Sequence, residues 1–431
     1  MDEAYWDKEI ETIDRHSLQQ LQLERLNKTL ERASKSQYYK RRIPAKINNL
    51  TALKDIPFTT KSDLRNSFPE GMLAVSRDEI VRLHASSGTT GRATVIYHTK
   101  RDIDNWTDLV ARSMYMTGVR KSDVFQNMMG YGLFTGGLGL HYGSERLGAL
   151  IIPASSGNSK RQIRLMKDFH STVVHITPSY ALHLYTLFQE KGIDPKNDLD
   201  LRIAFLGAEP HSEETKLRLE NLFGLDAYNS YGLSEMNGPG VAFECQLKDG
   251  MHVWEDSYIL EIIDPDTGEG LSDGEEGEIV FTTLKREGMP IIRYRTGDIA
   301  QTYPEECPCG RTHRKISRIK GRTDDMLIVK GINVYPMQIE KVLMDIPEVD
   351  NNYLIEIETV DYLDSLNIKV EVRQNIFHGG IKELESLKKR ISEDLKNETL
   401  ISPRITLVEP NSLPKSEGKA VRVVDKRDRD V

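Results

Sequence analysis

The stretch HASSGTTGRAT, residues 84–94, sets Ser86, Ser87, Thr89 and Thr90 around Gly88 and Gly91. Glycine admits positive φ without a Cβ penalty, and a bare backbone lets N–H groups approach an anion closely. The loop is therefore read either as a cradle for nucleotide phosphates or as a structural turn. It is not a Walker loop, because Arg92 rather than lysine follows Gly91. A second constellation holds all three cysteines of the chain, Cys245, Cys307 and Cys309, with His252 and His313 nearby. Three thiolates and one imidazole suit a closed, tetrahedral zinc site of the structural kind. His252 is the favoured fourth ligand and His313 the alternative, with buried inert thiols as the competing reading.

These groups need a scaffold, and 431 residues exceed one comfortable core, so two or more domains are expected. The runs ALIIPASSG (149–157), TVVHITPSY (172–180) and LRIAFLGAEP (201–210) each end in small, polar or Pro/Gly residues before helix-like segments. That alternation predicts layered α/β structure with loops at strand ends. After about residue 321 the texture changes. In NIKVEVR, Ile368, Val370 and Val372 alternate with polar or charged residues, and Ile381, Leu384, Leu387, Ile391 and Leu395 form one helical stripe. The fold class expected is α/β, with a large N-terminal layered α/β domain over 1–321 and a small mobile C-terminal α+β domain over 322–431. Near the start, Ser17 and Gln20 read as the cap of an amphipathic helix.

Composition excludes several classes of function. The net charge of -8 leaves no general basic footprint for nucleic acid. The segment MDEAYWDKEIETID lacks the positive flank and apolar run of an export signal, so a cytoplasmic protein is expected. The uncharged stretch Val124–Ser144, rich in glycine and holding Gln126, Asn127 and His141, is poor material for a bilayer span and is read as a buried loop. Three cysteines are too few for a disulfide framework.

Further segments carry a resemblance. SSGTTG, YGLSEM (231–236), RYRTGD (293–298), GRTDDMLIVKGINVYP (321–336) and PKSEGKAVRV (414–423) occur in the order of the adenylate-forming, acyl-CoA synthetase superfamily. Within it, PFTTKSDLR, GYGLFTGGLGLHYGSERLG and CPCGRTH resemble the phenylacetate-CoA ligase family. The likeness spans roughly residues 57–425.

The resemblance implies activation of an aryl acid by ATP and Mg²⁺ to an acyl adenylate, then displacement of AMP by the thiol of coenzyme A. It assigns pyrophosphate to Ser86–Gly91, where Arg92 replaces a frequent family lysine by a planar fork. Glu235 would bind Mg²⁺, with Ser234 on the α-phosphate. Asp298 would accept from both ribose hydroxyls, and Arg322 would face ribose or phosphate. Gly207, Ala208, Glu209 and Pro210, with Asn229, Ser230, Tyr231 and Gly232, would wall the adenine and border the acyl pocket, which Tyr131, Phe134, Gly136 and Gly137 would line for an aromatic ring. Asp324 resembles the hinge residue. Lys419 would stabilise charge as the adenylate forms, and the thiol would later approach along KGINVYP near Gly331.

Each assignment has a plainer counterpart: a capped turn at Asp298, a solvated pair at Arg322, core packing for Tyr131 and Phe134, a solvated tail lysine at 419. Two other functions stay open at this point. One is an adenylating enzyme that loads indoleacetate, benzoate or another aryl acid onto CoA or a carrier thiol, and the other is a zinc-containing binding module without chemistry. Small-molecule substrates are the expected partners, without nucleic acid or membrane; relatives commonly pair, and the choice between monomer and homodimer stays open.

Overall fold

A computed structural model describes residues 4–86, 94–323, 325–329, 332–360, 363–377, 380–414 and 421–427. Two compact units emerge: one of residues 1–156, 171–175 and 228–319, the other of 157–170, 176–227 and 320–431. The second unit thus joins the C-terminal segment to earlier stretches of the chain, a grouping no sequence boundary announces.

In the first unit, Val124–Asn127 lies between Leu150–Ile152 and Val173–Ile176, all parallel. The nearly continuous burial of Val124–Asn127 and Val173–Ile176 matches strands covered on both faces, whereas Leu150–Ile152 is partly exposed. An antiparallel run follows the order Tyr258–Ile263, Glu276–Thr283, Tyr294–Tyr303, Lys315–Ile316, Met251–Val253, Gly238–Glu244 and Asp226–Leu233. A separate hairpin pairs Ile80–Ala85 with Val95–Thr99. The expected helix near the start runs from Arg15 to Ala33, but its cap is Asp14, whose carboxylate accepts from Ser17 N–H. Ser17 therefore lies inside the first turn rather than capping it. Leu26, Leu30 and Ala33 bury this helix against Ile259, Leu284 and Ile292.

Val124–Ser144 is not a loop. It supplies the strand Val124–Asn127 and most of the helix Thr135–Leu147. This helix is closely packed because of its glycines. A Cβ on Gly139 would meet Trp106 and Pro239 at 2.6 Å, and one on Gly143 would meet Val110 at 2.4 Å. The helix Lys100–Met116 is thereby approached through bare backbone.

In the second unit the strand Ile203–Leu206 and the helices Pro178–Glu190 and Glu213–Phe223 precede the C-terminal part. There the strands Arg404–Val408, Leu363–Val372, Val349–Val360 and Val423–Asp425 form a sheet in that order. Ile368, Val370 and Val372 are buried on it as expected. Leu387, Ile391 and Leu395 of the helix Ile381–Thr399 pack on the same core, whereas Ile381 is 81% exposed at the helix start.

Candidate active site

The glycine-hydroxyl loop springs from the ends of the hairpin Ile80–Ala85/Val95–Thr99, and its two feet are tied together. Ser86 N–H donates to Thr94 O at 3.0 Å, Thr94 N–H donates to Ser86 Oγ at 3.3 Å, and the two hydroxyls meet at 2.5 Å. Thr94 Oγ1 then donates to Glu235 Oε1 over a long 3.4 Å. A carboxylate only accepts, so the polarity runs from the Ser86 hydroxyl through Thr94 to Glu235. The tip, with Ser87, Gly88, Thr89, Thr90, Gly91 and Arg92, lies outside the described residues.

Glu235 sits on the short turn Ser234–Met236, between the antiparallel strands Asp226–Leu233 and Gly238–Glu244. The return is tight. Asn237 and Gly238 take φ of 83° and 103°, and a Cβ on Gly232 would lie 1.9 Å from Gly238 O, so only glycine fits there. Partners fix the turn from several sides. Thr135 Oγ1 meets Ser234 Oγ at 3.3 Å, Tyr258 O–H donates to Met236 O at 2.9 Å, and Trp106 Nε1–H donates to Pro239 O at 2.7 Å. The guanidinium of Arg286 donates to both Glu235 O and Asn237 Oδ1. Ser234 and Glu235 are almost fully buried.

Further buried acceptors lie on the strands Asp226–Leu233 and Tyr294–Tyr303. Asn229 gives its backbone N–H and Nδ2–H to the Glu244 carboxylate at 2.9 and 2.7 Å, while its buried Oδ1 has no partner among the described residues. An orphaned acceptor of this kind fits an exocyclic amine. Tyr231 O–H donates to Asp298 Oδ2 at 2.6 Å, orienting a buried carboxylate. Gly297, at φ 77°, and the Thr296 hydroxyl, 3.0 Å from Asp298 N, shape that corner. Ser230 lies between Asn229 and Tyr231 along the strand, and Gly232 follows.

The expected acyl-pocket residues of this unit are laced together. Asn127 Nδ2 donates to Tyr131 Oη at 3.0 Å and to Gly137 O at 2.7 Å, and His141 Nδ1 lies 3.2 Å from the same phenol oxygen. Burial, only partly countered by Asn127, pushes the Tyr131 phenol up to about 12. Phe134 is 43% exposed and lies over bare backbone, since a Cβ on Gly136 would meet its Cε1 at 2.6 Å. A Cβ on Gly137 would strike Gly130 O at 2.5 Å.

In the second unit, Gly207, Ala208, Glu209 and Pro210 follow the strand Ile203–Leu206, with Ala208 at φ 67° and Glu209 Oε1 accepting from Ser179 N–H at 2.7 Å. Arg322 makes a loose ion pair with Asp325 at 3.9 Å. Asp324, Gly331 and Lys419 lie outside the described residues.

The cysteine cluster is assembled within the first unit. One ligand atom from each of Cys245, His252, Cys307 and Cys309 lies within 4.8 Å of all the others. Cys245 and Cys307 sulfurs are 3.8 Å apart, and His252 Nε2 is 3.3 Å from Cys309 Sγ. Sulfurs at about 2.3 Å from a tetrahedral zinc stand roughly 3.8 Å apart, so the donors fit such an ion. His252 Nδ1–H donates to His313 O at 3.0 Å, which leaves Nε2 as the free donor, the usual arrangement for a ligating imidazole. His313 is engaged elsewhere: Nδ1 accepts from Glu255 N–H at 2.9 Å and Nε2 donates to Ile10 O at 2.9 Å.

Comparison with known proteins shows the family. The family described as AMP-binding enzyme matches residues 4–284, and the AMP-binding enzyme C-terminal domain matches 331–427. A phenylacetate-coenzyme A ligase of Thermus thermophilus is 43% identical over 440 residues, covering 97% of this chain and 99% of its own. That of Pseudomonas putida is 44% identical over 426 residues, covering 97% and 96%. The chain belongs to the phenylacetate-CoA ligase family of AMP-binding enzymes. The family's fold extends to 2-hydroxyisobutyryl-CoA ligase in the postadenylation state in complex with R3-HIB-AMP, with a TM-score of 0.93 at 28% identity over 98% of this chain and 93% of that one. Among the described residues no helix is long and apolar enough to cross a membrane.

For this family member, sequence reading missed Thr94, Thr135 and Arg286. Thr94 is discoverable as the partner of Ser86 across the loop. Arg286 sits in the charged run LKREG, which gives no hint of burial.

Proposed function

We propose that this protein joins phenylacetate, or a closely related aryl acid, to coenzyme A in two steps. The acid's carboxylate oxygen attacks the α-phosphorus of ATP and pyrophosphate leaves. The thiolate sulfur of CoA then attacks the acyl carbon and AMP leaves. The observation that carries the reading is the hydroxyl-carboxylate chain Ser86–Thr94–Glu235 at the foot of the phosphate loop, in a chain whose relatives are phenylacetate-CoA ligases along nearly their whole length.

In this reading Ser86–Gly91 hold the leaving pyrophosphate, and Asn229, Ser230, Tyr231, Gly232 and Asp298 receive the nucleoside, helped by Gly207–Pro210 and Arg322. Glu235 would hold Mg²⁺, which when bound neutralises phosphate charge. Ser234 meets the α-phosphate. Tyr131, Phe134, Gly136 and Gly137 accept the aryl ring. Lys419 assists adenylation, and residues 322–431 turn about Asp324 to let the thiol in past Gly331. Cys245, His252, Cys307 and Cys309 hold a structural zinc, for which their mutual distances and the His252 hydrogen bond speak. A cytoplasmic homodimer without nucleic-acid partners belongs to the same proposal.

The test is exchange of labelled pyrophosphate into ATP without CoA, across phenylacetate, indoleacetate, benzoate and an aliphatic acid. Exchange that depends on an aryl acid, and that Lys419→Ala abolishes while CoA still converts supplied acyl-AMP, supports the proposal. Exchange indifferent to the acid overturns it.

A further inference from the structure

Arg286 is an unusual group to bury. The residue is 2% exposed, and its guanidinium donates to a backbone carbonyl and an amide oxygen rather than to a carboxylate. Its Nε has no hydrogen-bond partner among the described residues. Around it stand the carboxylates of Asp102 and Glu235, whose charges oppose the desolvation that lowers its pKa, and the Tyr258 phenol, which burial keeps neutral. Asp102 is already occupied, accepting backbone N–H bonds from Thr99, Glu287 and Gly288 at 2.9, 2.6 and 2.9 Å. Two imidazoles complete the surroundings. His84 and His98 are both held toward the neutral form, chiefly by burial and also by the Arg286 charge. A buried guanidinium without a directly paired carboxylate is costly to keep, and what its planar fork does here is hold two points of one turn.

From this geometry we infer that Arg286 is a positioning residue for the adenylation step: its guanidinium, bridging Glu235 O and Asn237 Oδ1, fixes the turn that aims the Glu235 carboxylate at its cation. The inference rests on the Mg²⁺ role proposed above for Glu235. The two donors reach from Glu235 to the left-handed residue Asn237, at φ 83°, where the chain reverses. Without the fork, Ser234, Met236 and Pro239 keep their own partners, so the turn persists while the carboxylate's backbone anchor is released. Partners behind a metal ligand usually shift metal affinity by tenfold to a hundredfold.

The experiment measures, for the full chain, the Mg²⁺ concentration giving half-maximal acid-dependent pyrophosphate exchange in the wild type, Arg286→Met, Arg286→Lys and Glu235→Gln. It also measures CoA-dependent thioester formation from supplied acyl-AMP and the melting temperature. Arg286→Met should raise the Mg²⁺ requirement on the order of tenfold and change thioester formation less than threefold. Arg286→Lys, which keeps the charge but cannot bridge both acceptors, should raise it by a smaller amount, roughly threefold, and so tests the role where the Met variant fails to fold. An unmoved Mg²⁺ requirement in Arg286→Lys and in folded Arg286→Met, while Glu235→Gln raises it, overturns the role of Arg286 alone. An unmoved requirement in Glu235→Gln overturns the metal role beneath it, and the inference with it.

Discussion

Thr94 Oγ1 lies 3.4 Å from Glu235 Oε1, joining residues that are 141 positions apart in the chain. Through Thr94 the foot of the glycine-hydroxyl loop and the carboxylate expected to hold Mg²⁺ share one hydrogen-bonded chain. Both residues are buried, so the contact acts where water competes little.

Thr94→Val keeps the β-branched shape and removes the hydroxyl. It should lower acid-dependent pyrophosphate exchange about tenfold to a hundredfold, which is roughly 1.4–2.7 kcal/mol of barrier. Thioester formation from supplied adenylate should change little. Equal loss in both half-reactions would assign Thr94 to scaffold rather than to the phosphate site.

The glycines near the expected aryl pocket should differ in tolerance. At Gly136 the obstacle to a Cβ is the edge of Phe134, a partly exposed ring that can swing aside. At Gly137 it is Gly130 O, which is backbone. Gly137→Ala should therefore raise KM for the aryl acid more than Gly136→Ala does, by on the order of tenfold. Steady-state kinetics with a phenylacetate series decides, and the reverse ranking contradicts the pocket.

Metal analysis of purified protein should find about one zinc per chain. His252→Ala should lose the ion, because Nε2 is the donor that faces the thiols. His313→Ala should keep zinc while costing stability, because that ring bridges Glu255 N and Ile10 O. A metal-free wild type that stays folded would remove the zinc proposal.

Stability should fall as pH drops below neutrality. Burial holds the His175 imidazole down at about 3, while the unfolded group takes a proton near 6.5. Between those values the unfolded state binds the extra proton, so stability present above about pH 6.5 is lost on acidification, by up to about 1.4 kcal/mol per pH unit for this residue. His98, also held neutral by burial, adds to the slope. Urea unfolding at pH 7 and pH 5 should show the drop, and His175→Gln should flatten it. An unchanged slope in the variant would show that His175 can be protonated in the folded state.

How legible all this is in the sequence depends on the residue. The strands ending at Ile176 and Leu206 announce themselves by largely apolar runs that stop in Thr-Pro and Gly-Ala, because fully buried strands need mostly apolar side chains on both faces. The helix Thr135–Leu147 is hidden by its own glycines. Propensity counts each as a cost, and only the tertiary approach to Trp106 and Val110 explains them. Leu384, Leu387, Ile391 and Leu395 form the expected stripe, while Ile381 fails because the helix begins there and its side chain stays in solvent. The choice of His252 over His313 requires knowing where each ring's second nitrogen points, which spacing cannot show. Arg286 illustrates the general obstacle. A charged run reads as surface, and only the turn at Glu235, 51 positions earlier, reveals why this cation is buried.

The most direct test of the central claim is the product balance of one reaction: purified protein with ATP, Mg²⁺, phenylacetate and CoA. The account predicts phenylacetyl-CoA, AMP and pyrophosphate in equal amounts, with no AMP formed when the acid is omitted. Formation of ADP and phosphate, or of AMP without acid, would contradict it.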